Sequence, residues 1–595
     1  MKKKYLTRVV YWVMSLILIT GCKQNQTEET FVFKNVNLIP MTSEKVVPNQ
    51  TVLIVKKRIV KTGKDRQVKI PKNATIIDGT GKFLFPGLAD MHTHIGETLT
   101  KSYLNLFVSY GVTTVRDLPQ GSPPSILSLR EEIKSGKRFG PQLFVANHLI
   151  GFEAAPEQNI LPTKNCGYDG VKLNSLFTTD AFQKTVSTAN RSGLYAFGHF
   201  PFLMSLDEIL NSGYRESSHI LELAWYLSSV DVKSAPNAEV ASDRVLKELF
   251  GQIEKCQTLT EQEQIELYRP RIKAIVDKIG TREISFCTTL IADYDIMNKV
   301  LNLDEIRNSS YAPYISAAFW NDIKSGTDKQ LNLFPNPADS KIIYLLDCLF
   351  LKELIAQNKF IVLGTDVGPT YLSIIPGYSV HQELKLLVEN GLTPYQALLT
   401  ATKNAAVIGG RMSGRDDFGT IVPGNRADLL LLDKNPLEDI GNSLTISGVF
   451  IQGDFYTRNR LDSIQAIDMQ SLKKMVLEQY KSRGINEAIN YYQSLKNDNF
   501  FNRYFYNENT LVIIGYELIK TDSLQDALKI FQLNAKEYPT APNAFDCLGE
   551  VYLRLNDRPS ALVNYKKALQ IDPNFANSKE QLAELEKKVN DEENK

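Results

Sequence analysis

Apolar and polar positions change rhythm several times along the chain. In residues 31–80, short β-rich runs (31–38, 51–55 and 74–77) alternate with polar turns, the pattern of a small β-domain. From Phe83 to about Asn404, strand-like runs alternate with amphipathic stretches at helical spacing, which predicts a β/α fold around a parallel sheet. The runs read as strands end at Met91-His92, Val115-Arg116, Val145-Ala146, Val171-Lys172, Phe197-Gly198, Ser217-Ser218, Cys287-Thr288 and Leu363-Gly364. Eight such runs predict a (β/α)8 TIM barrel over residues 83–404, with its chemistry at the C-terminal strand ends. The stretches between the sixth and seventh runs and between the seventh and eighth exceed one helix. They read as helical insertions, with lids or substrate loops as the other reading. Residues 405–456 return to short β-rich runs, among them Arg426-Ala-Asp-Leu-Leu-Leu-Leu-Asp433, and are expected to rejoin residues 31–82.

From about residue 465 a longer period takes over. Gly515 and Gly549, Ala527 and Ala561, Phe531 and Tyr565, and Pro539 and Pro573 each stand 34 residues apart. Small residues where two helices pack, an aromatic knob and a proline at the turn resemble tetratricopeptide repeats. This predicts an all-α repeat domain over residues 465–590, with two clear repeats and a degenerate third at 472–505. An unrelated array of helical hairpins is the alternative. Two repeats bury little core, so the tail is expected to dock on the barrel or on flanking helices.

The N-terminus has a separate logic. Lys2, Lys3, Lys4 and Arg8 precede an apolar run from Val9 to Ile19 that ends in Thr20-Gly21-Cys22. The run is short for a bilayer span and reads as a signal peptide covering residues 1–22. Leu18-Ile-Thr-Gly-Cys22 resembles a bacterial lipobox, which implies lipidation of Cys22 and a body tethered in the bacterial cell envelope, on the periplasmic or cell-surface side. A plain secretory signal with an incidental cysteine is the other reading.

Composition narrows this only slightly. The 595 residues carry 68 Lys plus Arg against 67 Asp plus Glu, so charge gives no reason to expect nucleic acid. A hydrophobic share of 43% with 23% charged residues excludes disorder for most of the chain. Beyond Cys22, the cysteines are Cys166, Cys256, Cys287, Cys348 and Cys547, an odd and scattered set that forms neither a disulfide framework nor a CxxC metal pattern.

The chemistry lies in six histidines: His92, His94, His148, His199, His219 and His381. His92-Thr-His94 closes the first barrel strand, and alternation puts both imidazoles on one side. His199 follows the fifth strand, His219 the sixth and Asp366 the eighth, while Lys172 ends the fourth. Imidazoles and a carboxylate on one rim are what a divalent metal such as zinc takes. His148 follows the third strand, where it faces substrate or makes a structural hydrogen bond. Arg116 at the second strand pairs either with a substrate carboxylate or with Asp117 or another internal acid. His381 precedes Glu383 at a helix start and reads as a positioning or capping residue.

These stretches resemble the metal-dependent amidohydrolase superfamily, in the imidazolonepropionase-like branch that includes Xaa-Pro dipeptidases. The resemblance is carried by Pro86-Gly-Leu-Ala-Asp-Met-His-Thr-His94, Gly111-Val-Thr-Thr-Val-Arg-Asp117, Tyr168-Asp-Gly-Val-Lys172, Gly364-Thr-Asp-Val-Gly368, the segment from His381 to Pro394, and Gly424-Asn-Arg-Ala-Asp428. It runs in order over roughly residues 32–456. It implies a (β/α)8 barrel with a composite β-sandwich made from residues 31–82 and 405–456. It also implies two divalent metals, zinc by preference: His92, His94 and Asp366 on one, His199 and His219 on the other, and Lys172 carboxylated by CO2 between them. Such a pair activates a bridging water, and Asp366 would carry its proton to the leaving nitrogen. The chain departs from the family after the third strand, where Gly151-Phe-Glu-Ala-Ala-Pro156 replaces a Gly-Gly-His segment; substrate specificity does not carry over with the ligands.

The expectation is a hydrolase of an amide-type C–N bond, acting on a small peptide, an N-acyl amino acid or a cyclic amide. One alternative is a mononuclear deaminase or ring-opening hydrolase, against which Lys172 speaks. The other is an enzyme-derived envelope scaffold that acts through its repeat tail, with a protein partner bound there.

Overall fold

The structure is a computed structural model. It describes residues 29–95, 100–119, 124–153, 155–307, 336–368, 374–469, 472–497 and 508–593. The predicted signal segment, including Cys22, lies outside the described residues.

Five strands come first: β1 (Thr30–Leu38), β2 (Val47–Val55), β3 (Arg58–Gly63), β4 (Thr75–Asp78) and β5 (Phe83–Pro86). Eight short strands then make the barrel: β6 (Leu88–Thr93), β7 (Val112–Asp117), β8 (Gln142–Leu149), β9 (Gly170–Leu173), β10 (Tyr195–Gly198), β11 (Glu216–Ser217), β12 (Ser285–Cys287) and β13 (Phe360–Val362). They pair in sequence order, all parallel, from β6 to β13. All residues of β6, β7 and β9 are buried, as expected of parallel strands covered on both faces. The ring is all but closed where β6 meets the chain just beyond β13: Met91 N–H donates to Leu363 O (3.0 Å) and Asp366 N–H to His92 O (2.9 Å).

β14 (Leu429–Leu432), β15 (Ile446–Ile451) and β16 (Asp454–Thr457) join the first five strands. Their order is β16-β15-β14-β5-β1-β2-β3, with β4 also beside β1. β1 and β15 are three strand spacings apart, about 14 Å in a flat sheet. Yet the Phe33 and Phe450 rings lie 6.0 Å apart and those of Phe31 and Phe450 5.0 Å. The sheet therefore folds over on itself around an apolar centre that includes Val52, Leu84 and Leu431. Strands from before and after the barrel thus share one hydrogen-bonded sheet. Phe83–Pro86 belongs to it because β5 pairs with β14.

The β-rich reading of residues 405–413 is corrected. Lys403–Ser413 is a helix, because Ala405, Ala406, Ile408 and Met412 recur at helical spacing and pack on Met91, Phe144 and Tyr195 inside the barrel. The long stretches around β12 are helical too, with helices at Ala238–Cys256, Glu261–Ile279, Leu290–Arg307 and Pro337–Ala356.

The helical tail begins earlier than residue 465. Its first helix, Arg458–Met469, buries Leu461 and Ile464 in the main core, and Arg458 donates to Ser109 O (2.9 Å). The later helices have their own core around Val476, Tyr492, Leu511, Phe531 and Cys547. The 34-residue period is physical: a Cβ at Gly515 would meet the Phe531 ring at 2.2 Å, and one at Gly549 the Tyr565 ring at 2.6 Å. Two of the hairpins thus close with an aromatic ring seated on a glycine. No helix among the described residues is long and apolar enough to cross a membrane, and the five cysteines among them are free.

His381 locks the helix Tyr378–Glu389 to its surroundings. Its Nε2–H donates to Tyr110 O (2.9 Å), while Nδ1 receives the Ser443 hydroxyl (2.8 Å). Burial lowers its pKa from 6.5 to about 4. Between pH 6.5 and about 4 the unfolded chain takes up a proton that the folded chain refuses, so stability falls on acidification through that window. At pH 5 the deficit is about 2 kcal/mol. Urea midpoints at pH 7 and pH 5 should show His381→Gln losing less stability than wild type by about that amount; equal losses would remove His381 as the cause.

Candidate metal centre

The C-terminal ends of the barrel strands bring the predicted residues together. His92 Nε2 lies 3.2 Å from Asp366 Oδ1 and His94 Nε2 3.3 Å from the same oxygen. Lys172 Nζ stands 3.2 Å from His92 Nε2 and 3.4 Å from His94 Nε2. The His219 ring sits 4.7 Å from that of His92 and stacks at 5.1 Å on that of His199. Two groups have ligand atoms mutually within 4.8 Å: His92, His219 and Asp366, and His199, His219 and Glu222. The site can therefore hold divalent metal. His219 lies between the two groups rather than wholly with His199.

Local backbone explains the convergence. Asp366 sits at φ 59°, a conformation rare and strained for a residue with a side chain and typical of functional sites. It is reached because Gly364 and Gly368 let the chain run against β6. A Cβ at Gly364 would lie 2.6 Å from His92 Cβ, and one at Gly368 1.8 Å from His94 O. Asp90 holds the same seam from the other side, accepting from the Thr365 hydroxyl (2.6 Å) and from the amides of Thr365 (3.0 Å) and His92 (3.2 Å). Burial pushes the Asp90 carboxyl up to about 7.

The outer ring nitrogens are committed. His92 Nδ1 faces Ser218 O at 3.2 Å; a carbonyl only accepts, so Nδ1 carries the proton. Burial, then the Lys172 charge, hold His92 well below the ordinary range, so it is neutral and its Nε2 lone pair lies 3.2 Å from Lys172 Nζ. The Asp366 carboxylate lies 3.2 Å from the same nitrogen. Lone pair, carboxylate and lysine thus converge on one volume, where a divalent cation would find its ligands. His199 Nδ1 contacts Glu222 and His219 Nδ1 lies 2.9 Å from the Thr289 hydroxyl. Both rings are kept neutral, chiefly by burial, with His219 at about 4. Oriented, neutral imidazoles are what a metal requires. Burial lowers Lys172 to about 8.

Glu222 escaped the sequence reading. Its carboxylate also accepts from Phe200 N–H (2.9 Å) and the Ser217 hydroxyl (3.4 Å), so it orients His199 rather than standing free as a ligand. The available signal was a lone charge in the apolar run Ile220-Leu-Glu-Leu-Ala-Trp-Tyr-Leu227. His148 pairs with Lys172 across β8 and β9, beside the centre. Burial first, then Lys172, lower it to about 3.

For Arg116 the internal-acid alternative holds and the substrate contact does not. It is fully buried, donates to Met91 O (2.6 Å), pairs with Glu216 and lies 4.2 Å over the Phe197 ring. The guanidinium is enclosed inside the barrel and cannot reach a substrate; the internal acid that holds it is Glu216.

Comparison with known proteins follows the same line. Residues 347–455 match the amidohydrolase family. A segment of 88 residues is 34% identical to the adenine deaminase of Staphylothermus marinus, covering 14% of each chain; the chain thus spans a small part of that relative. Among solved structures, a bottromycin amidohydrolase superposes with a TM-score of 0.52 at 20% identity, over 74% of this chain and 90% of that one. A Xaa-Pro dipeptidase with bound methionine gives 0.50 at 17% identity, over 72% and 100%. Residues 347–455 are thus similar to the amidohydrolase family, and the chain shares the fold of these two solved structures.

Two outcomes are expected here. Glu222→Ala should weaken zinc affinity about 10–100-fold with the ligands intact, read by competition with a chelating dye; unchanged affinity would deny Glu222 its orienting role. Arg116→Met should cost about 3–5 kcal/mol by leaving Glu216 buried and unpaired, with part recovered in Arg116→Met/Glu216→Gln, as urea unfolding would show.

Proposed function

We propose that the chain is a metal-dependent hydrolase of an amide-type C–N bond, tethered in the bacterial cell envelope by lipid on Cys22. The observation that carries this is the convergence of His92, His94, Lys172 and His219 on the Asp366 carboxylate. His92, His94 and Asp366 would hold one metal and His199 and His219 a second. With Lys172 at about 8, roughly a tenth of it is neutral amine at pH 7. A neutral amine adds CO2 and releases a proton, giving an anionic carbamate suited to bridge two zinc ions. Bound metal supplies carbonyl polarisation and an acidified water. Asp366 Oδ1, at the focus of the site, takes the water's proton and hands it to the leaving nitrogen. His148, neutral beside Lys172, is placed to donate a hydrogen bond to substrate without bringing charge.

The substrate class is a small peptide, an N-acyl amino acid or a cyclic amide. The Xaa-Pro dipeptidase neighbour favours a short peptide, while the loop at 151–156 leaves the side-chain preference to be measured. The adenine deaminase relative gives a second reading, a one-metal deaminase. The repeated glycine–aromatic hairpins support a tetratricopeptide-like tail that takes a protein partner.

Bound metal per chain separates these readings. Protein starting after Cys22, which contains every described residue, should hold about two zinc ions when purified with bicarbonate, and fewer as Lys172→Ala. One ion in both would favour the deaminase; none in either would sink the hydrolase. Asp366→Asn should lower kcat on any substrate found by about 10²–10⁴-fold, and full activity would remove Asp366 as proton carrier.

A further inference from the structure

At the opposite end of the barrel strands lies a cavity of about 550 Å³. Gln142, which opens β8, and Asp169, just before β9, line it, so it sits beneath the barrel and away from the metal centre. Its size suits a small ligand or headgroup. Its walls are basic: Lys56, Lys57, Arg58, Arg130, Lys134 and Arg415 contribute, with Arg426 beside them. The four acids are engaged by the arginines. Asp169 lies 3.1 Å from Arg130 and 2.6 Å from Arg415, Asp417 2.8 Å from Arg58, Asp428 2.5 Å from Arg426 and Glu131 3.5 Å from Arg130. Glu131 also reaches Lys134 (3.6 Å), and seven basic side chains against four acids leave the wall net positive; Lys56, Lys57 and Lys134 are all exposed.

The turn that carries two of them is unusual. Lys56 and Lys57 link β2 to β3 with φ of 50° and 67°, the two-residue hairpin geometry normally given to Asn-Gly. Lysine has no local reason to occupy either position, and such strain gathers at functional sites. The Lys57 stem lies where a Cβ at Gly453 would meet it at 2.8 Å, so neighbouring backbone seats it.

The chain's approach to the barrel enters at this same spot. Thr30 pairs with Val55, and Lys56 N–H donates to Glu29 O (3.4 Å). Cys22 stands seven residues before Glu29, a reach of at most about 25 Å. A lipid on Cys22 would hold the basic turn close to the bilayer whatever path those residues take.

We propose that the cavity and its lysine turn bind the phosphate of anionic lipid headgroups, seating the N-terminal end of the barrel on the membrane and turning the metal centre away from it. Arginines paired on one edge keep donors for phosphate on another, and basic side chains at an anionic surface supplement a lipid anchor. The argument rests on Cys22 as the anchor, so the test uses protein starting after Cys22, which carries no lipid.

Co-sedimentation compares phosphatidylcholine vesicles with vesicles containing phosphatidylglycerol, at low and high salt. Wild type should bind the anionic vesicles at least about tenfold better and lose that preference in high salt. Lys57→Ser/Lys134→Ser should bind about 30-fold more weakly, at about fivefold per lysine; both side chains are exposed, and zinc content reports an intact barrel. No preference for anionic vesicles, or a preference that survives the double substitution, would overturn the proposal. Binding of inorganic phosphate without vesicle binding would also overturn it, in favour of a free anion. Labelled palmitate in the full chain, lost in Cys22→Ser, tests the anchor alone. Without label the anchor fails, and the vesicle comparison decides the cavity by itself.

Discussion

The metal-binding end depends on one seam, where β6 runs beside the chain just past β13. Asp90 draws Thr365 and its amide across that seam, and backbone hydrogen bonds through Met91, His92 and Asp366 fasten it. Without the seam the barrel is an open curved sheet, and the ligands from its first and last strands face different directions. With it, His92 and His94 meet Asp366 at hydrogen-bond distance. The two glycines around Asp366 are the steric condition for this contact, since a methyl group on either would collide with β6.

The seam also gathers groups that repel water poorly when buried together. Four imidazoles, a lysine and a carboxylate lose their hydration there, and His92, His199 and His219 spend their outer nitrogens on fixed partners. The inner nitrogens are left with lone pairs directed at one volume. A protein interior tolerates such a concentration of acceptors when something positive satisfies it. One layer down, Arg116 and Glu216 form a separate closed pair with Tyr195 donating to Glu216 at 3.1 Å, which fills the barrel centre with polar groups that have no chemistry to perform.

The sequence was most legible where a periodic pattern and a rare residue coincided. Most barrel strands were readable as short apolar runs, and histidine is scarce enough for its recurrence at strand ends to mark even the polar β11. The 34-residue repeat was readable because the glycine–aromatic contact needs both members at fixed spacing. Glu222 and Asp90 were not, because their roles lie in what they touch: Glu222 reaches His199 from a turn beyond β11, and Asp90 works across the seam to Thr365. Arg116 was left between two readings for the same reason, as a strand end does not tell which side chain is directed inward below the rim. The helix at Lys403–Ser413 was hidden by β-rich neighbours, although its alanines already fell on one face.

The folded-over sheet has a consequence in time. Its central strand β5 needs β14 as a neighbour, yet the whole barrel lies between them in the chain. Whatever order the chain is made or delivered in, the first strands present an unfilled edge until the last have arrived, and sheets that close over such separations form slowly. An unpaired edge is a template for foreign strands. The period of greatest hazard for this molecule is therefore its assembly, and a helper that shields the edge of β5 would matter more to its yield than any contact in the finished fold.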